Sequence, residues 1–503
     1  MKRTLATLLA LLTICSASYA TTDETTDKSA KKKKKKVTYN EKGEIIKTGI
    51  NLGPLPVIAF DADRGFQFGA LLNIYDFGDG SKYPNPNSQW YIEASAYAKD
   101  ASIGSYKIIL NYDNKTLIPG VRLSVCTGYF KDAALDFYGM NGYQSNYDMS
   151  LLKPTFAFTG SPDENSKDYN SIYGKFNDKG TMPMGFYRHG RDLVKAKADL
   201  TGKILKNFYW EAGWNFAWTR TESFVPKEYS VLDNPAAPDT YIPGGSTLYD
   251  LYKDWGIIPE DQAAGGFTSG IRLGLMYDSR NVENNPTKGI WAEGHLTLNP
   301  WWLGTTRGHD HYKYCLTMRQ YVPIVAEKLT FAYRLVYEGT IGNEAPWYVA
   351  PFYTSMGIKP DYDGFGGYRT VRGLMLNRVQ GLDVGFYNVE LRYKFVEFQL
   401  WKQNIAFTLS AFTDGAHVFR GYNMTLTDER KAALLAADPT IGQTKIGLYD
   451  KFIKPGGDGF HGSAGIGLRF IMNQNFIVAF EGAQCFNKQD GGFAFYLNTG
   501  FLF

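Results

Sequence analysis

The sequence predicts an all-β chain: a sixteen-stranded antiparallel transmembrane β-barrel in the outer membrane of a Gram-negative bacterium. Three observations lead there. The composition is that of an exported, aromatic, helix-poor protein, apolar and polar residues alternate with period two along most of the chain, and short connections alternate with long ones.

Export is written in the first twenty residues. "MKRTLATLLALLTICSASYA" has basic Lys2 and Arg3, an apolar run from Leu5 to Ile14, and small residues at Ser18 and Ala20. This is the pattern of a secretory signal peptide over 1–20, too short to span a bilayer. The mature chain keeps Cys126, Cys315 and Cys485, far apart, with neither a disulfide framework nor a zinc spacing. Neither metal nor cofactor is expected.

The chain carries 35 Tyr, 33 Phe, 10 Trp and 53 Gly in 503 residues. No later run of apolar residues is long enough for a membrane-spanning helix, and helical periodicity is convincing only near Thr427 to Ala437. The net charge is +4, and Lys31 to Lys36 contribute six of the positive charges, all near the mature N-terminus. Residues 21–52 therefore read as a Lys-rich periplasmic tail, largely disordered, with the barrel filling 53–503. The lysine run is either a solvated tail or a site of attraction to anionic headgroups. An exported chain seldom meets nucleic acid, so none is expected as a partner; the lipid bilayer is.

The alternation places the strands. From Tyr387 to Phe395 the odd positions Tyr387, Val389, Leu391, Tyr393 and Phe395 suit lipid, while Asn388, Glu390, Arg392 and Lys394 suit a polar lumen. The same dyad recurs from Val194 to Ile204 and from Phe208 to Trp218. Such segments fall near 55–61, 66–76, 88–100, 103–113, 119–130, 191–205, 207–219, 267–279, 289–299, 309–321, 327–339, 383–396, 403–414, 460–471, 475–485 and 492–503. With strand 1 rising from the periplasm, the long connections 131–190, 220–266, 340–382 and 415–459 all lie outside, as spanning barrels require. An even strand number permits closure without a free edge. In "GGFAFYLNTGFLF" the residues Phe493, Phe495, Leu497, Phe501 and Phe503 share one face, and an aromatic last residue resembles the signal by which barrels are handed to the assembly machinery.

Six motifs in order then resemble one family. They are "DADRGFQFGA" in the first hairpin, "FYGMN" in the third loop, "DSRNVENNPTKGIWAEG" between strands 8 and 9, "VRGL" before strand 12, "NVELRY" on strand 12 and "FTDGAHVF" on strand 13. Together they resemble the BamA/TamA-like superfamily of outer-membrane assembly and translocation barrels, the bacterial surface antigen domain. Leu374 and the early Gly415 depart from the family pattern. The thirty-odd residues ahead of strand 1 leave no room for POTRA modules, so a version without them is expected.

The resemblance implies that the sixth extracellular loop folds into the lumen and that its arginine meets carboxylates on the inner wall. Here that motif is Val371, Arg372 and Gly373. By parity Glu390 and Asp414 face the lumen, so Arg372 is expected to contact both, as a bidentate guanidinium can and a lysine cannot. A wet lumen would soften the cost of breaking that contact. The resemblance also makes the seam between strands 1 and 16 the working part. Strand 1 looks short, Pro56 offers no ladder donor beside Ile58 and Phe60, and Gly500 weakens the end of strand 16 before Phe503.

The expected function is outer-membrane protein assembly or translocation, with other assembly components as partners. The alternative is a passive or gated pore, because Arg272, Lys313, Arg319, Arg334 and Glu338 also suit a lumen. An enzyme is not expected: His295 and His311 face the lumen without a serine–histidine–acid constellation.

Overall fold

A computed structural model describes residues 38–503 except 42, 62–64, 100–101, 148–183, 225–246, 358–361 and 500–502. The run Lys31 to Lys36 lies outside the described residues. Sixteen antiparallel strands form one sheet in chain order. They are β1 (Ile50–Asp61), β2 (Gly65–Asp76), β3 (Ser88–Lys99), β4 (Ser102–Ile118), β5 (Val121–Asp136), β6 (Arg188–Leu205), β7 (Phe208–Ser223) and β8 (Gly265–Asp278). The second half holds β9 (Gly289–Asn299), β10 (His311–Val325), β11 (Leu329–Ile341), β12 (Asp383–Leu400), β13 (Gln403–Arg420), β14 (His461–Met472), β15 (Phe476–Cys485) and β16 (Phe493–Thr499).

Burial is inverted relative to a water-soluble protein. Leu273, Leu275, Leu316, Leu335, Leu391 and Ile466 are exposed, while Asp199, Arg272, Arg334, Asn388, Glu390 and Asp414 are fully buried. Large apolar side chains cover the outside and charged ones fill the inside, which only a lipid surround rewards. The alternation that placed the strands is this partition.

Local chemistry fixes the short-turn end. Trp401 and Lys402 both have positive φ, so β12–β13 closes through a two-residue turn whose twist matches the strands, while β14–β15 closes through three residues, Asn473 to Asn475, the first two at positive φ. At the other end the long loops share a core of their own. Phe137, Tyr187, Tyr252, Trp255, Trp347 and Phe452 pack together there, drawing in α1 (Leu248–Asp254) and α3 (Pro439–Phe452). The helix expected near Thr427 to Ala437 is α2 (Asp428–Ala437), with Thr427 as its N-cap. α1 and α3 were not anticipated, because their apolar residues face this cap rather than a simple helical stripe.

Four expectations need correction. Strand 1 is not short: β1 begins at Ile50 and pairs with β2 over its whole length, with Pro54 opposite Leu72 and Pro56 opposite Ala70. The barrel thus starts before residue 53, and the last part of the 21–52 segment is docked rather than disordered. Ile45 N–H donates to Asn404 Oδ1 at 3.0 Å, and Asn404 Nδ2 returns a bond to Ile45 O at 3.1 Å. The barrel is nearly closed: β1 and β16 lie side by side, although no ladder joins them among the described residues. Finally, Phe503 leaves the outward face. Its ring is buried beside Tyr321 and Ala332, 4.8 Å from the Arg392 guanidinium and 5.3 Å from that of Arg334. Arg392 Nη2 also donates to a Phe503 oxygen at 3.3 Å. Two cations attract ring and chain end more strongly than lipid would.

Candidate functional site

Described residues of the long connection between β11 and β12 contact the inner wall at β6 and at β15. Phe365, Val371 and Leu374 pack against Val336, Phe386 and Ala416 on the inner wall. Gly366 and Gly367 take positive φ, and Thr370 Oγ1 bonds back to Gly364 and Gly366 at 2.9–3.0 Å. The tight turn so formed presents Arg372 to the wall. A side chain at Gly366 would strike Met375 O, so this position needs glycine for space as well as for φ.

Arg372 is wholly buried. Its Nε and Nη2 bind the two oxygens of Asp414 at 2.8 and 3.0 Å, and its main-chain N–H adds a third bond at 3.0 Å. Nη1 reaches Glu390 at 2.6 Å and Glu481 at 2.9 Å. The guanidinium carbon lies 3.5 Å from the Phe412 ring centroid, which fills the face no carboxylate covers. Arg469 bridges Glu390 and Glu481 at 3.0 and 2.5 Å, and Arg392 holds the other Glu390 oxygen at 2.6 Å. Arg372, Arg392 and Arg469 thus balance Glu390, Asp414 and Glu481 in a dry node. The softened cost expected of a wet lumen does not apply, because both Arg372 and its carboxylates are shut off from solvent.

Gly373 follows at φ +91°, and a Cβ there would sit 3.0 Å from Ser463 Cβ. Its N–H donates to Tyr496 Oη at 2.9 Å, so the loop touches β16 directly. Val371, Arg372, Gly373, Glu390 and Asp414 are therefore brought together. Of the seam residues, Pro56, Ile58 and Phe60 lie in β1, with Ile58 exposed outward; Gly500 falls outside the described residues, and Phe503 sits in the lumen.

Two parts of the site were missed. Arg469 and Glu481 interrupt otherwise apolar strands at lumen parity, a signal the sequence carried. The loop also has a second attachment that it did not carry. The N–H groups of Thr354, Met356 and Gly357 donate to Glu338, Glu293 and Asp199 at 2.7–3.1 Å. Lys197 and Arg272 both donate to Ser355 O. Arg272, Lys313, Arg319, Arg334, Glu338, His295 and His311 are all buried, as lumen residues should be.

A further cluster ties the loops above the node. His461 Nδ1 lies 2.7 Å from Asp490 and Nε2 lies 2.9 Å from Asp458, while Arg378 donates to Gly142 O, Ser145 O and Gln489 O at 2.8–3.1 Å. Burial pushes the Asp458 carboxyl up, but His461 and the N–H groups of Tyr143 and Val418 outweigh it and hold it below the usual carboxylate range.

Residues 132–503 match the family model described as the Omp85 superfamily domain. Among solved structures, the chain resembles BamA from Haemophilus ducreyi lacking POTRA domains 1–3, at 15% identity and a TM-score of 0.44, over 90% of this chain and 70% of that one. It also resembles CdiB from Escherichia coli, at 10% identity and a TM-score of 0.49, over 90% of this chain and 63% of that one. For CdiB from Acinetobacter baumannii the identity is 11% and the TM-score 0.44, over 91% and 61%. The chain spans less than two thirds of either CdiB chain. These likenesses bear on neither substrate nor partner. No curated protein matches.

Proposed function

The chain belongs to the Omp85 superfamily and lies in the outer membrane of a Gram-negative bacterium, and from that premise we propose that it takes part in the assembly or translocation of outer-membrane proteins, together with other assembly components. One observation supports the reading: among the described residues no ladder joins β1 to β16, and β1 carries two prolines. Pro54 and Pro56 are two apart, so their missing N–H groups fall on one edge of β1. The opposite edge is in continuous register with β2, which assigns the missing donors to the side facing β16. Among the described residues, β16 pairs with β15 from Phe493 to Thr499.

An edge without its ladder is costly in lipid, because no water replaces the lost hydrogen bonds. An incoming strand that supplies them is bound by that cost, which is the physics of strand addition. The loop steadies the wall beside the seam. Arg372 pins it to β12, β13 and β15, and Gly373 braces β16 through Tyr496. A freely conducting pore is less well supported, since described residues of this loop contact the inner wall at β6 and β15 and described residues of the upper loops share an apolar core.

The test is a disulfide scan. Ile58→Cys is paired in turn with Phe495→Cys and Leu497→Cys, in a background lacking Cys126, Cys315 and Cys485. Locking the seam is expected to lower outer-membrane protein levels, with recovery on reduction. Normal levels with the lock fully formed would sink the reading.

A further inference from the structure

The chain ahead of β1 has a structure of its own at the periplasmic end of the barrel. Tyr39 and Ile45 form an antiparallel bridge, Ile46 N–H donates to Thr38 O at 2.9 Å, and Gly43 turns the chain at φ +76°. Asn40 closes this small hairpin, accepting from Glu44 N–H and donating to the Glu44 carboxylate, both at 2.8 Å. The segment is then tied to the side of the seam that β1 belongs to. Gly49 N–H donates to Gly78 O at 2.8 Å, in the turn after β2, and Gly49 O accepts from Phe77 N–H at 3.0 Å. In the same turn, a Cβ on Gly80 would sit 2.8 Å from Ile46 Cγ2, so the two segments touch closely.

A second set of bonds reaches the opposite side. In sheet order β12 to β15 lead up to β16, so their periplasmic ends flank the seam from the other direction. Asn404, in β13, exchanges two hydrogen bonds with Ile45 and gives a third to Tyr83 Oη at 3.2 Å. Lys47 Nζ donates to Lys402 O at 2.7 Å and to Gln403 Oε1 at 2.8 Å. Gln399 Nε2 donates to Gly43 O at 2.5 Å, and Gln474 Nε2 donates to the Glu44 carboxylate. Glu44 and Ile45 are both buried. We infer that residues 38–49 are a clasp: they hold the periplasmic end of the β1–β16 seam shut, and the seam opens when they let go. The clasp consists largely of single side-chain hydrogen bonds, and water replaces each one that breaks, so release costs little per bond. A ladder bond broken inside the bilayer finds no such replacement. Control of the seam is thereby placed at the periplasmic face, where it is cheap to reverse.

The inference rests on the assembly reading for what the opening serves, but it is tested on the seam itself, so the two fail separately. Nitroxide labels on Ile58→Cys and Phe495→Cys, in the background lacking Cys126, Cys315 and Cys485, report seam separation through dipolar broadening in the purified full-length barrel. Asn404→Ala removes the bonds to Ile45 and Tyr83, and Ile45→Asp places a carboxylate where the clasp is buried. Each should raise the ratio of open to closed seam about tenfold. Asn114→Ala is the control: it frees the N–H groups of Thr116 and Leu117 in the β4–β5 turn, away from the seam, and should leave the ratio unchanged. Heat-modifiable migration on gels checks that each variant folds, and Ile45 lies outside the strands, so its variant carries the test if Asn404→Ala does not fold. A raised ratio in Ile45→Asp with unaltered outer-membrane protein levels in cells would support the clasp while counting against the assembly reading. An unchanged ratio in folded Ile45→Asp, or an equal rise in Asn114→Ala, would overturn the clasp.

Discussion

Replacing Arg372 by alanine leaves three carboxylates facing two guanidinium groups, and the loss does not fall evenly. Glu390 keeps Arg392 and Arg469, and Glu481 keeps Arg469. Asp414 takes its hydrogen bonds from Arg372 alone among the described residues, and after the substitution only the main-chain N–H at 3.0 Å remains. A fully buried carboxylate stripped of its cation costs about 3–5 kcal/mol. Arg372→Lys keeps the charge but not the fork, and should cost about 1–3 kcal/mol. Asp414→Ala should cost less than Arg372→Ala, because Arg372 retains Glu390 and Glu481. The double variant restores charge balance, so a coupling of about 2–4 kcal/mol is expected. The assay is equilibrium urea unfolding of the full-length barrel in detergent, read as a shift in midpoint at constant slope. If the two single losses summed to the double loss within about 0.5 kcal/mol, the node would not hold the loop.

Three further outcomes can be checked on the same protein. Gly373→Ala forces a side chain to φ +91° against Ser463 and Ala483; it should cost about 1–3 kcal/mol in the urea assay, and an unchanged midpoint would contradict the close approach. Phe503→Ala removes ring contacts to Arg334 and Arg392 and should cost about 1–3 kcal/mol, whereas a ring facing lipid would cost little. For Asp458, the depressed carboxyl contributes stability that is complete above the ordinary carboxylate value of about 4 and lost as pH falls through the lower folded value. Loops 421–459 should therefore resist acid-active protease at pH 5 and lose protection below about pH 4; Asp458→Asn should remove that pH step, and a step near neutrality would refute the assignment.

The sequence by itself determined the strands and their faces. Period two admits no other partition once one face must meet lipid, so Leu391 and Glu390 were assigned to opposite sides by parity alone, and Arg469 and Glu481 could have been. It also determined the glycine-framed turn at Gly366 to Gly373, because those residues tolerate a backbone that others do not. Only the tertiary structure decided what closes and what does not. Sequence alternation runs to Phe503, yet the Phe503 ring lies inward, because Arg334 and Arg392 come from strands distant in sequence and their joint pull is invisible locally. The ladder between β1 and β16 depends on two strands at opposite ends of the chain, where the prolines are legible but the missing partner is not.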